Sequence, residues 1–186
     1  MRMMTWISAM CLAVAGPALA DDLAAPKVGE KAGDFTLSSL NGESVHFADM
    51  TEKGPVVLIM LRGWPGYQCP ACQRQMGDFL KHADEFHKAG ARVLMVYPGP
   101  KEGLKAHAEE FVGSTKFPKN VTMLLDPDYK LTTQYGLRWV APNETAYPST
   151  FVVGPDNTIR YAKVSQTHGG RAAADEVLAA VDKLQK

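Results

Sequence analysis

Cys69 and Cys72 stand three positions apart with Pro70 and Ala71 between them. Two thiols at that spacing on the start of a helix lie one turn apart on the same side, within reach of a disulfide after a modest adjustment. Proline suits the first helical position, because its φ is preset and the N–H it lacks has no partner there. That placement makes Cys69 the N-cap, with its sulfur expected to accept from the free N–H of Ala71 or Cys72. A thiol of ordinary pKa is only about 3% thiolate at pH 7. Lowering that pKa by about two units requires about 2.7 kcal/mol, whereas a helix N-terminus supplies about 0.3–1 kcal/mol. Direct N–H···S bonds and a nearby cation must therefore add to the dipole, and Arg62 is the nearest candidate in sequence. The reading is that Cys69 is the low-pKa nucleophile and Cys72 resolves its mixed disulfide or sulfenic acid.

Other uses of such a pair fit less well. A structural disulfide would close a very small loop and restrict the unfolded chain little. A zinc half-site needs two more ligands, and His46, His82, His87, His107 and His168 show no paired ligand spacing. A haem-attachment motif needs histidine after the second cysteine, where Gln73 stands. No metal or organic cofactor is expected. The chain carries 20 basic and 20 acidic side chains, and this balance argues against a nucleic-acid partner.

The elements that must position the cysteines follow from periodicity. Asn41-Gly42 marks a hairpin between strands at about 34–38 and 44–47. Residues 56–61 form a continuous apolar run, suited to a central strand buried on both faces. A helix is expected from Pro70 to Lys88, with Met76, Phe79, Leu80, Ala83 and Phe86 on its apolar face. Strands at 92–97 and 121–125 alternate with helices at 101–112 and 129–135. A strand pair at 151–153 and 158–164 turns at residues 154–157, and a helix over 172–186 closes the chain. Met60, Met76, Met95 and Met123 are read as core. Strand–helix alternation implies right-handed crossovers and a parallel centre. The fold class is therefore α/β, a mixed central sheet with helices on both faces and an N-terminal β-hairpin. Sites in such sheets gather at the carboxyl ends of the parallel strands, and the loop after residue 61 holds both cysteines.

Residues 1–20 read as an export signal: Arg2, an apolar run, a break at Gly16-Pro17 and the small-x-small pattern Ala18-Leu19-Ala20. The run is shorter than the roughly 20 residues of a membrane span, so no stable membrane insertion is expected after cleavage. Cys11 suggests a lipoprotein, but Met10 precedes it where a small residue is needed. Cleavage after Ala20 leaves Cys69 and Cys72 as the remaining cysteines. Residues 21–33 read as a linker and 34–186 as one domain. The expected location is periplasmic or extracellular, where a cysteine pair can persist as a disulfide.

The chain resembles the thioredoxin superfamily on its peroxiredoxin-like side, the alkyl hydroperoxide reductase/thiol-specific antioxidant or redoxin group. The likeness rests on Ala32-Gly33-Asp34-Phe35-Thr36-Leu37, on the run into Arg62-Gly63-Trp64 and the Cys-Pro-Ala-Cys helix, on Asp126-Pro127-Asp128 through Tyr135-Gly136-Leu137, and on Tyr147-Pro148-Ser149-Thr150-Phe151. It implies a thioredoxin-like fold and a cis Tyr147–Pro148 bond facing the cysteines; a trans bond would remove Pro148 from the site. It also implies two opposite assignments. Peroxiredoxins carry Pro-x-x-x-Thr/Ser-x-x-Cys, with the cysteine attacking peroxide. Here Pro65 keeps that spacing, Cys69 takes the hydroxyl position and Cys72 the peroxidatic one. Thioredoxin-like reductases attack with the first cysteine, here Cys69.

Arg62, or Arg138, is a candidate to stabilise a peroxide or thiolate, against the plainer reading of a surface arginine. Trp64 and Tyr67 either pack against the helix or form a lip for a partner, and Trp139 and Tyr147 are candidates for the same groove. His168 and Arg171 mark a surface loop with no assigned role. The leading expectation is an exported thiol–disulfide oxidoreductase that exchanges with a protein disulfide or dithiol. A thiol peroxidase acting on hydroperoxides with a thiol electron donor is the alternative, and a non-catalytic binding module with a structural disulfide is the third.

Overall fold

The structure, a computed structural model, describes residues 24–184; the proposed export signal lies outside them. In chain order the elements are β1 (Thr36–Ser39), β2 (Ser44–His46), α1 (Phe47–Thr51), β3 (Val56–Met60), α2 (Pro70–Lys81), α3 (Ala83–Lys88), β4 (Arg92–Gly99), α4 (Leu104–Val112), β5 (Val121–Pro127), α5 (Lys130–Gln134), β6 (Ser149–Val153), β7 (Ile159–Val164) and α6 (Ala174–Asp182). Seven strands form one sheet in the order β2-β1-β5-β4-β3-β6-β7. β3, β4 and β5 run parallel, and the pairs at either side are antiparallel. The sheet and its helices make the mixed α/β architecture that the residue pattern implied, in the thioredoxin-like fold that the resemblance implied.

The apolar run of β3 explains its place at the centre. All five of its residues are buried. Val57 and Ile59 point into a core with Met76, Phe79, Phe111 and Val177 from α2, α4 and α6. Val56, Leu58 and Met60 point to the other face, against Phe47, Leu131 and Tyr135. A strand covered on both sides needs no polar alternation. The four core methionines are all buried, as expected.

Several boundaries differ from the sequence reading, each for a local reason. The helix expected over 70–88 breaks at His82, whose backbone leaves the helical region at φ −97°, ψ 8°. Its Nδ1 donates to the Asp78 carbonyl at 2.9 Å, taking the acceptor a continuing helix would give to the backbone. α4 begins three residues late because Gly103 sits at φ 74°. β4 runs through Pro98 to Gly99 because β5 continues beside it, pairing Pro98 with Asp126 and Gly99 with Pro127. α1 is unforeseen in the sequence: its Ala48 N–H is capped by the Asp34 carboxylate, 14 residues away, at 3.1 Å.

Asp126 anchors the switch from β5 to α5. It is fully buried. Oδ1 accepts from the Leu131 N–H at 2.8 Å. Oδ2 accepts from the Thr132 N–H at 2.9 Å and its hydroxyl at 2.6 Å. Asp126→Ala strands two buried N–H donors and a hydroxyl, so the expected loss of unfolding free energy is about 2–4 kcal/mol. Urea denaturation checks it: a loss below about 1 kcal/mol would show that the helix start does not depend on this carboxylate.

Candidate active site

The loop between β3 and α2 carries the cysteines and is fixed along its length. Gly63 adopts φ 71°, and a Cβ there would fall 1.8 Å from the Pro98 carbonyl oxygen. Only glycine passes this close to β4. The Trp64 N–H donates to the same oxygen at 3.1 Å, and its indole stacks on His107 of α4 at 3.8 Å between centroids. Trp64 therefore packs on α4. Gln68 straps the residue before Cys69: Oε1 accepts from the Tyr97 hydroxyl at 2.9 Å, and Nε2 donates to the His107 carbonyl at 2.9 Å. Half-buried Pro65 lies between these two anchors.

Cys69 is the N-cap and Pro70 the first helical residue, as the spacing predicts. The expected capping hydrogen bond to the sulfur is not made with full geometry. Both residues are free thiols with little exposure, 3% for Cys69 and 1% for Cys72. Their environments nevertheless differ in kind. Cys69 is held down to about 5, first by a hydrogen bond from the Cys72 thiol, against the opposing effect of burial, and then by the Cys72 amide, the charge of Arg171 and a side-chain hydrogen bond from Arg62. Burial and the hydrogen bond it shares with Cys69 push the Cys72 thiol well above its ordinary value. The Cys72 sulfur also accepts from the Arg62 main-chain N–H at 3.4 Å. The pair is arranged as a thiolate with a proton-bearing neighbour.

A second cation at the thiolate is Arg171, 102 residues away in sequence. Its Nη2 lies 3.8 Å from Cys69 Sγ. Nη1 donates to Gln75 Oε1 at 2.9 Å, and Nε donates to the His168 carbonyl at 3.0 Å. Gln75 is itself buried and reaches Thr150 Oγ1 of β6 at 3.4 Å. No local signal in the sequence marks Arg171 as part of the site.

Arg62 is not a surface arginine. It is 1% exposed. Nε and Nη2 engage Glu144 Oε2 at 3.0 and 2.8 Å, Nη1 donates to the Tyr67 hydroxyl at 2.7 Å, and Nη2 donates to the Asn143 carbonyl at 2.6 Å. Its own carbonyl accepts from the Thr145 hydroxyl. Arg62 thus ties the 139–145 loop to the end of β3, and Tyr67 is committed to that tie. Arg138 is also structural: it donates to the carbonyls of Trp139, Glu144 and Thr145 and lies over the Tyr129 ring at 4.0 Å.

The Tyr147–Pro148 bond is trans, contrary to expectation. Tyr147 N–H donates to the Leu137 carbonyl at 2.9 Å, and the Pro148 carbonyl accepts from Ser165 N–H at 2.9 Å. This extended, bonded segment leads straight into β6, so the stated ground for placing Pro148 in the site is gone. Tyr147 stacks on Trp139 at 4.8 Å, and Trp139 also meets His168 at 5.4 Å. These three rings line one wall of the loop cluster.

The AhpC/TSA family model matches residues 28–162, from the hairpin through the cysteine helix and β6 into β7. The chain belongs to the AhpC/TSA family. A Mycobacterium tuberculosis protein named as a peroxiredoxin is 30% identical over 150 residues, covering 78% of this chain and 89% of that protein. The thiol-disulfide oxidoreductase ResA of Geobacillus thermodenitrificans is 31% identical over 134 residues, covering 72% of this chain and 67% of its own. Among solved structures, the peroxidoxin BcpB of Mycobacterium tuberculosis superposes with a TM-score of 0.66 at 22% identity, covering 86% of this chain and 99% of that one; this likeness speaks to the fold. The AhpC/TSA chain is thus a thiol-redox enzyme, with relatives named for peroxide and for disulfide chemistry.

Proposed function

We propose that this AhpC/TSA protein is an exported thiol–disulfide oxidoreductase working through Cys69 and Cys72. The observation that carries the reading is the asymmetry of the two sulfurs. The Cys69 thiolate attacks a disulfide sulfur of the partner, forming a Cys69–S–S–partner bond and releasing the other partner sulfur as a thiolate. Cys72 then gives up its proton to that departing sulfur and attacks Cys69, forming the Cys69–Cys72 disulfide and releasing the partner's second sulfur as a thiolate. Two electrons pass to the partner, and a thiol donor restores the pair. Alkylation of the reduced protein followed by peptide mapping tests the assignment. Modification centred on Cys69 at pH 6 supports it, and modification centred on Cys72 overturns it.

Peroxide reduction is the second reading, favoured by the spacing from Pro65 to Cys72 and by the Arg62 N–H on the Cys72 sulfur. There a thiolate attacks the peroxide O–O bond, leaving a sulfenic acid and an alcohol, and the other cysteine condenses with it to a disulfide and water. Rapid-mixing rates for hydrogen peroxide and for a protein disulfide, measured on the same reduced protein, separate the readings: the faster one identifies the substrate.

A further inference from the structure

A cleft of about 430 Å³ opens between α2 and the segment 168–173, and Arg171 in its lining reaches Cys69 Sγ at 3.8 Å. Its charged and titratable lining is Arg74, Asp78, His168 and Arg171. Arg74 and Asp78 share one face of α2 with Ala71 and Gln75, at three- and four-residue steps. Asp78 is committed, its Oδ2 accepting from Ala174 N–H at 2.8 Å, with His82 3.7 Å from Oδ1. His168 is committed to Glu144 at 2.8 Å. The Arg74 guanidinium has no hydrogen-bond or ion-pair partner among the described residues. Arg171 joins the cleft to the sulfur it faces.

We infer that this cleft receives a carboxylate of the molecule that reacts at Cys69, so that carboxylate-bearing disulfides are its preferred small substrates. The inference rests on Cys69 as the reacting sulfur. Before reaction the Arg171 charge is balanced by the thiolate. Once Cys69 Sγ is bonded to a substrate sulfur, the negative charge has left with the departing thiolate and Arg171 faces the cleft uncompensated. A carboxylate beside the new S–S bond then meets Arg171 and Arg74 together, and an ammonium group at the same place is repelled. Cleft charge therefore acts on the encounter and again on the mixed disulfide.

The test compares alkylation of the reduced, full-length protein by iodoacetate and by iodoacetamide, which differ by the carboxylate. The readout is the iodoacetate-to-iodoacetamide rate ratio at Cys69, set against the same ratio for glutathione. The expected ratio exceeds the glutathione ratio and falls about two- to fivefold in Arg74→Glu, the range of an exposed charge pair. Added salt lowers the wild-type ratio toward the variant's. Arg92→Glu, at the opposite end of the parallel strands, leaves the ratio unchanged. A wild-type ratio at or below that of glutathione, or one indifferent to Arg74, overturns the cleft. A second arm compares exchange with an aromatic disulfide carrying two carboxylates and with its dipyridyl counterpart. A preserved alkylation ratio with no exchange on either disulfide leaves the cleft standing and removes the oxidoreductase reading instead.

Discussion

Cys69→Ser is expected to abolish disulfide exchange, by roughly a thousandfold or more, whereas Cys72→Ser keeps the first attack and accumulates the mixed disulfide. The difference follows from the two environments. Cys69 is mostly thiolate at neutral pH, being held at about 5, and a serine hydroxyl in its place has no comparable nucleophile. Cys72 is kept protonated by burial and by sharing its hydrogen with Cys69, so it acts after the Cys69 sulfur has been bonded. Without it the covalent adduct has no internal route to release. Mass spectrometry of each variant after incubation with a disulfide partner reads the outcome directly. An adduct on Cys69→Ser and none on Cys72→Ser would transfer the attacking role to Cys72, the peroxiredoxin-like assignment.

Arg171→Met is expected to move the pH profile of Cys69 upward by about one unit, the lower end of what an adjacent opposite charge contributes. In the wild type, the alkylation rate should rise through a midpoint at about 5. The sign is fixed by linkage. The folded-state pKa is depressed, so the thiolate's contribution to stability is complete above the unfolded thiol's pKa. It is lost as pH falls through about 5. Removing the guanidinium shrinks that contribution and raises the midpoint. At pH 5 the thiolate fraction falls from about one half to about one tenth. Arg171→Lys keeps a charge but loses the fork that grips Gln75 and the His168 carbonyl, so an intermediate midpoint is expected. A variant profile superimposable on the wild type would show that Arg171 holds the loop and does not act on the sulfur.

The strands and the cysteine helix were legible because their signals are local. β3 announces itself by an unbroken apolar run, and Pro70 fixes the helix start. α1 and the break at His82 depend on Asp34 and on a ring nitrogen competing with the backbone, and neither has a sequence period. The site divides the same way. Cys69 and Cys72 could be found from spacing, and Arg62 was noticed for its proximity in sequence. The structure adds to what proximity suggests: the guanidinium helps hold the Cys69 thiol down and also bonds Glu144 and Tyr67, while the main-chain N–H meets Cys72. Arg171, Gln75 and Glu144 come together only through the folding of β6, β7 and the loops after them. Position in a familiar motif misled at Pro148, where the backbone is held extended by partners on both sides.

The scant exposure of both sulfurs bears on how reaction speed is divided. The observed rate is the product of how often the rim of the site yields and how fast a thiolate reacts once reached. Cys72 and Arg171 bear on the second factor. The first belongs to the buried Arg62–Glu144 tie and the Gln68 strap, which set how far the neighbouring loops can part. Small reagents then sample the intrinsic reactivity, while bulky partners must wait on the loops. Discrimination by size is thereby built into residues that neither attack nor resolve.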